Sequence, residues 1–163
     1  MWILPMSGDK KPYPYLESTS NEGHGQFSPD GKWIAYASDE SGKLEIYVQG
    51  FPVTGGGKWQ VSAGGGDQPQ WTRNGTELIY AAPYGGLMSV DVRGGESGIS
   101  FGMAKLLFNT PLHFVGITGS RNDYLVTRDG QRILINTPLE DTTRLPITII
   151  LNWTKLLRDV RDE

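Results

Sequence analysis

Three Asp/Asn-Gly pairs, Asp30-Gly31, Asn74-Gly75 and Asp129-Gly130, are the first residues in this chain whose types could do chemistry, as carboxylate nucleophiles or as ligands in a Ca²⁺ loop. Each sits in a similar setting: Gln26-Phe27-Ser28-Pro29-Asp30-Gly31, Gln70-Trp71-Thr72-Arg73-Asn74-Gly75 and Leu125-Val126-Thr127-Arg128-Asp129-Gly130. A catalytic group is needed once, whereas a turn is needed in every repeat, so the recurrence makes these residues turn-closers. No acidic spacing of the EF-hand kind surrounds them. His24 and His113 are too few for a histidine-rich metal site, and neither stands four residues from a second ligand on a helix. Gly116-Ile117-Thr118-Gly119-Ser120 places its serine outside the Gly-x-Ser-x-Gly frame of a nucleophile elbow. The glycine runs 55–57 and 64–66 lack the Lys-Ser/Thr and the helix that complete a phosphate loop. The expectation is therefore a chain with no catalytic residue, no metal and no cofactor.

The totals set the class. At 163 residues, 37% hydrophobic and 10% aromatic, the chain can build a core of single-domain size. Its 22 Gly and 10 Pro fall between apolar runs rich in β-branched and aromatic residues, which predicts an all-β fold. Without cysteine there is no disulfide framework and no thiolate chemistry. A net charge of -3, with no Lys/Arg stripe, argues against nucleic acid as a partner. No apolar run reaches the roughly 18 residues of a membrane span, and the stretch 1–6 has no basic segment of the signal-peptide kind.

The elements that would carry these turns repeat at about 44 residues, within the range of four-stranded propeller blades. Strands are expected at 26–28, 33–38, 44–49 and 58–62, and again at 70–72, 77–80, 87–92 and 105–108. A third copy gives strands at 125–127, 132–135 and 147–151, with a possible extra strand around His113, while 94–102 reads as a Gly/Ser-rich loop. Residues 1–17 fit the same period as the third and fourth strands of a half blade. The predicted architecture is a partial β-propeller over 1–153: a half blade at 1–17, antiparallel four-stranded blades at 25–62 and 68–108, and a terminal partial blade at 123–153. A short helical or disordered tail at 154–163 follows. Phe27, Trp33, Tyr36, Tyr47, Trp59, Trp71, Tyr80 and Ile133 are the expected core, since radial sheets bury both faces.

The stretch Phe27-Ser28-Pro29-Asp30-Gly31-Lys32-Trp33-Ile34-Ala35-Tyr36-Ala37-Ser38-Asp39-Glu40-Ser41-Gly42, followed by Glu45-Ile46-Tyr47-Val48, resembles the WD-like propeller repeat of TolB-type proteins. Residues 1–153 are similar to the C-terminal propeller of bacterial sensor-type serine/threonine kinases, whose last blade ends much like Ile133-Leu134-Ile135-Asn136-Thr137-Pro138 and Ile147-Thr148-Ile149-Ile150-Leu151-Asn152-Trp153. The resemblance implies a docking platform, a sensor or a regulatory domain, often extracytoplasmic; the kinase and membrane portions of such proteins are not in this sequence.

Topology then places a binding surface. The second-to-third and fourth-to-first connections would share one rim, bringing together His24, Asp39, Asp67, Gln68, Tyr84 and Arg121, with Gln26 and Gln70 turned toward a central channel. A non-catalytic binding or scaffold module is the expected function, its partner a protein or a small ligand. A propeller lyase or hydrolase with its site in the channel is the alternative. Two full blades and two partial ones are fewer than a ring needs. Two copies completing each other's broken blades would close one, so a homo-oligomer is also expected.

Overall fold

A computed structural model describes residues 1–53, 57–95, 98–110 and 122–136. The expected strand at 147–151, the one around His113, Arg121 and the tail 154–163 lie outside the described residues. Within them the chain is all-β, a series of small antiparallel sheets with no α-helix. A two-stranded sheet pairs β1 (Trp2–Ile3) with β2 (Tyr13–Pro14). The first large sheet has the order β3 (Glu22–Phe27), β4 (Trp33–Ser38), β5 (Glu45–Gly50), β6 (Lys58–Gln60). The second follows as β7 (Asp67–Thr72), β8 (Glu77–Ala81) and β9 (Gly86–Gly95), with β10 (Gly98–Phe101) and β11 (Lys105–Asn109) both paired to β9. A last two-stranded sheet pairs β12 (Tyr124–Val126) with β13 (Ile133–Ile135).

One correction concerns 94–102. This segment is largely strand: Gly98 to Phe101 pairs with Gly95 to Val92, and Gly102 N–H continues the ladder to the Asp91 carbonyl at 2.8 Å. The long β9 offers an edge that β10 and β11 share, so backbone pairing overrides the local glycine content.

The sheets are stacked so that the middle strands are covered on both faces, which the two-residue side-chain alternation of a strand makes possible. In β4, Ile34 and Tyr36 face the Tyr15 and Tyr47 cluster beside the N-terminal sheet, whereas Ala35 and Ala37 face the second large sheet. In β8, Leu78 and Tyr80 pack toward Ile46, Val48 and Val90, and the alternate residues Ile79 and Ala81 pack against Leu87 and Tyr124. Burial drives the Tyr15 phenol up to about 12, and its hydroxyl donates to the Gly50 carbonyl at 3.0 Å. Of the expected core, Tyr36, Tyr47 and Tyr80 are buried, and Trp33, Trp59, Trp71 and Ile133 flank the buried clusters. Phe27 is a correction at 50% exposed. It ends β3 and its ring meets Phe51 edge-on, centroids 5.1 Å apart, a contact that covers only part of it.

Two of the three Asp/Asn-Gly turns are built alike. Ser28 Oγ and Lys32 N–H donate to Asp30 Oδ1 at 2.6 and 3.2 Å, and Gly31 takes φ +71°. Thr127 Oγ1 and Gln131 N–H do the same for Asp129 Oδ1 at 2.5 and 3.0 Å, with Gly130 at φ +70°. The middle copy departs: Arg73, Asn74 and Gly75 are all left-handed, at φ 49°, 57° and 90°. Here the Thr72 hydroxyl leaves its own turn and donates to the Thr127 carbonyl at 3.2 Å, so the turn is shaped by the neighbouring sheet.

Leu78 is fully buried between sheets. Leu78→Ala is expected to cost about 2–5 kcal/mol in urea unfolding, and Leu107→Ala, at a 43% exposed site, to change stability by less than about 0.5 kcal/mol. The Thr127 hydroxyl and Gln131 N–H hold the Asp129 carboxyl below its ordinary value. At Asp30 burial pushes upward, but the Ser28 and Lys32 interactions outweigh it and the net shift is again downward. Groups with lowered native pKa stabilise the fold above the ordinary aspartate value near ~3.9 and cease to do so as pH falls through the native values. Stability measured by urea midpoint should therefore fall through that acid range, with a shallower fall in Asp129→Ala.

Candidate functional site

Four of the residues singled out from sequence, His24, Asp67, Gln68 and Gln70, lie at the seams between sheets, where β3, β7 and β12 run as neighbouring first strands. Two β-bulges shape those seams. The pairing of β3 shifts between Gly23 and Gln26, and that of β7 between Asp67 and Gln70, 44 residues later. Inside each bulge one residue that is not glycine takes the left-handed conformation, His24 at φ 54° and Gln68 at φ 53°. Such a conformation costs about 1–2 kcal/mol per residue, and a bulge serves to re-aim a side chain. In both strands the re-aimed side chain reaches the next sheet.

At the first seam, His24 Nδ1 lies 2.7 Å from Asp67 Oδ1, with both side chains nearly enclosed. The same oxygen accepts the Gln68 N–H at 2.8 Å. The other carboxylate oxygen, Oδ2, is buried without a hydrogen-bond partner among the described residues. Trp71 Nε1 donates to the Gln26 carbonyl at 3.1 Å, tying the two first strands a second time.

At the second seam, Gln68 Nε2 donates to Asp123 Oδ2 at 2.9 Å and its Oε1 accepts the Asp123 N–H at 2.7 Å. Two residues on, Gln70 Nε2 donates to the Tyr124 carbonyl at 2.6 Å and its Oε1 accepts the Val126 N–H at 2.9 Å. A primary carboxamide offers a donor and an acceptor side by side, so Gln70 satisfies two main-chain groups of β12 much as a paired strand would, whereas Gln68 takes one main-chain N–H and one carboxylate oxygen of Asp123. Tyr124 completes the seam, its hydroxyl donating to the Gln68 carbonyl at 2.6 Å. Burial first, and the Asp67 charge second, push its phenol far above the ordinary range.

His24, Asp67, Gln68 and Gln70 are thus brought together in the seams, with Gln70 only 7% exposed and its amide engaged with β12 rather than opening onto a channel. Gln26 is half-buried in β3. Asp39 stands apart, just beyond β4, where it accepts from Asn21 Nδ2 at 2.7 Å and Asn21 N–H at 2.9 Å, bonds that lower its pKa. Tyr84 lies in the 3-10 turn Pro83–Gly85. Two participants were not foreseen from sequence. Asp123 follows Gln68 by 55 residues, the same offset that relates Gln70 to Leu125, so the repeat itself carried the signal. Glu45 is fully buried, accepting from the Ser62 hydroxyl and, at 3.1 Å, the Gly65 N–H, with Lys43 Nζ 3.0 Å away. No sequence pattern marked it, because its hydrogen-bond donors Ser62 and Gly65 arrive from the loop after β6.

A histidine beside a buried carboxylate can be oriented for proton transfer, and this pair also bridges two strands. No cluster of three or more His, Asp or Glu able to hold a metal occurs among the described residues. No known protein family matches the chain, and no curated protein does.

Replacing Gln70 with Leu keeps its bulk but leaves the Val126 N–H and Tyr124 carbonyl unpaired. At about 1–3 kcal/mol for each stranded group, Gln70→Leu should destabilise the last seam selectively. Hydrogen exchange should accelerate at Val126 while Ala35 and Tyr47 keep their protection.

Proposed function

We propose that the chain is a segment of a TolB-type β-propeller acting as a non-catalytic recognition or scaffold module. The observation that carries this reading is the stacking of successive sheets with their first strands adjacent, the two large sheets carrying matching bulge residues 44 positions apart. A propeller is the arrangement in which such radial sheets follow one another about an axis. Sequence resemblance supports the same reading through the recurrent Asp/Asn-Gly turns.

The two outer sheets carry the argument toward a partner. Trp2 is 63% exposed on one side of the stack, and Leu125 and Leu134, directly paired in register, are 53% and 70% exposed on the other. Among the described strands β1 pairs only with β2, and β13 only with β12. An apolar face beside a strand that has a single partner among the described residues favours strand addition. A second copy is the partner this reading favours, its β13 side meeting β1 of the first. A propeller lyase or hydrolase would have to draw on His24 and Asp67. The 3% exposure of Asp67 and the position of the pair within a seam favour the structural use.

Sedimentation of the purified chain should give a species at a multiple of 18.0 kDa. Leu134→Asp should shift it toward the monomer while leaving the β-type circular dichroism in place. A well-folded monomer whose mass and stability are indifferent to substitutions at Trp2 and Leu134 would refute the assembly.

A further inference from the structure

At the end of the large sheets opposite the His24 bulge, a cavity of about 360 Å³ opens between the first and second large sheets. This is within the range of about 300–1,000 Å³ typical of small-molecule sites. Two half-buried indoles, Trp33 and Trp71, stand in its lining together with Asp30, Lys32, Asn74 and Gly94. Both rings are held before any ligand arrives. Trp71 Nε1 is bonded to the Gln26 carbonyl at 3.1 Å, and Trp33 meets Trp59 edge-on with centroids 5.5 Å apart. The polar lining is partly engaged by the turn itself: Asp30 Oδ1 takes both turn bonds, and among the described residues nothing bonds its Oδ2 or the Lys32 ammonium. Gly94 pairs with the cavity-lining Ile99, so a side chain there would share that face, yet a Cβ added at Gly94 meets nothing within 4 Å.

The combination selects a ligand class. A bare cation would be drawn to the indoles and Asp30 but meets Lys32, and an anion meets Asp30. Hydroxyl groups both donate and accept, so a polyol satisfies the carboxylate, the ammonium and the Asn74 carboxamide together. The weakly positive C–H face of a sugar ring complements the negative face of an indole. We propose that this cavity binds a neutral hexopyranose, its ring against a tryptophan and its hydroxyls on Asp30, Lys32 and Asn74. The site is contained within two adjacent sheets and does not depend on ring closure or on the propeller assignment.

Saturation-transfer NMR and tryptophan fluorescence with cellobiose as probe test it, with choline chloride and sodium sulfate as the cationic and anionic arms. Saturation should pass to the sugar ring protons, and emission should change along a saturable curve. Gly94→Tyr, which fills the cavity from an open position, should abolish both signals while leaving thermal unfolding unchanged. Asp30→Asn should weaken binding by about tenfold, the loss of one charge-assisted hydrogen bond. A cellobiose signal that survives Gly94→Tyr, or the absence of any signal with cellobiose, overturns the proposal, as does saturable binding of choline or sulfate with cellobiose silent.

Discussion

The double-sided burial of β4 and β8 is the constraint on which the rest of this structure depends. Neither strand has a solvent face: Ile34, Ala35, Tyr36 and Ala37 are consecutive and all buried, as are Leu78, Ile79, Tyr80 and Ala81. A sheet made this way cannot be stable alone, because half of its apolar surface needs a second sheet. Stacking follows from that need. Small residues on one face, such as Ala35 and Ala37, allow close approach to the second sheet, and the tyrosines on the other fill the wider space beside the N-terminal strands.

Stacking by apolar contact alone would leave the exposed edges of the first strands with main-chain groups to satisfy. Gln70, Trp71 and the bulge residue Gln68 meet part of that need, and the bulges place two residues that are not glycine, His24 and Gln68, in the left-handed region. Strain of this kind persists where surrounding bonds over-determine it, and both residues are held through contacts with the next sheet. Asp67 is the point where the seams meet, since it receives His24 from one sheet and its charge reaches Tyr124 in another. Its buried Oδ2 makes it the most demanding polar group of the described fold.

The two ends of the stack consequently differ in character. The end that carries the bulges draws its polar side chains inward, into bonds between sheets. The end that carries the Asp30 and Asn74 turns leaves a cavity between the sheets, lined by two indoles and by Asp30, Lys32 and Asn74. The residue types that suggested a binding surface by sequence, histidine, aspartate and glutamine near strand ends, are the same types that a seam requires. Burial and bonding distinguish the two uses; residue identity does not.

Local signals determined much of this protein without tertiary help. The Asp30-Gly31 and Asp129-Gly130 turns follow from a hydroxyl two residues before an aspartate and a glycine free to take positive φ. Strand placement follows from β-branched and aromatic runs between such turns, and β4 is found at 33–38 as its residues alone indicate. What the sequence could not settle was any choice made between distant segments. Whether 94–102 is a loop or a strand depended on the edge of β9, and how much of Phe27 is covered depended on its contact with Phe51. The shape of the Asn74 turn depended on a carbonyl at Thr127, and the fate of Gln70 on the unpaired main chain of β12. Except at 94–102, which pairs with the neighbouring end of β9, the deciding partner lies on another segment of the chain, and hydrogen-bonding groups deprived of water bind whichever partner the packing brings within reach.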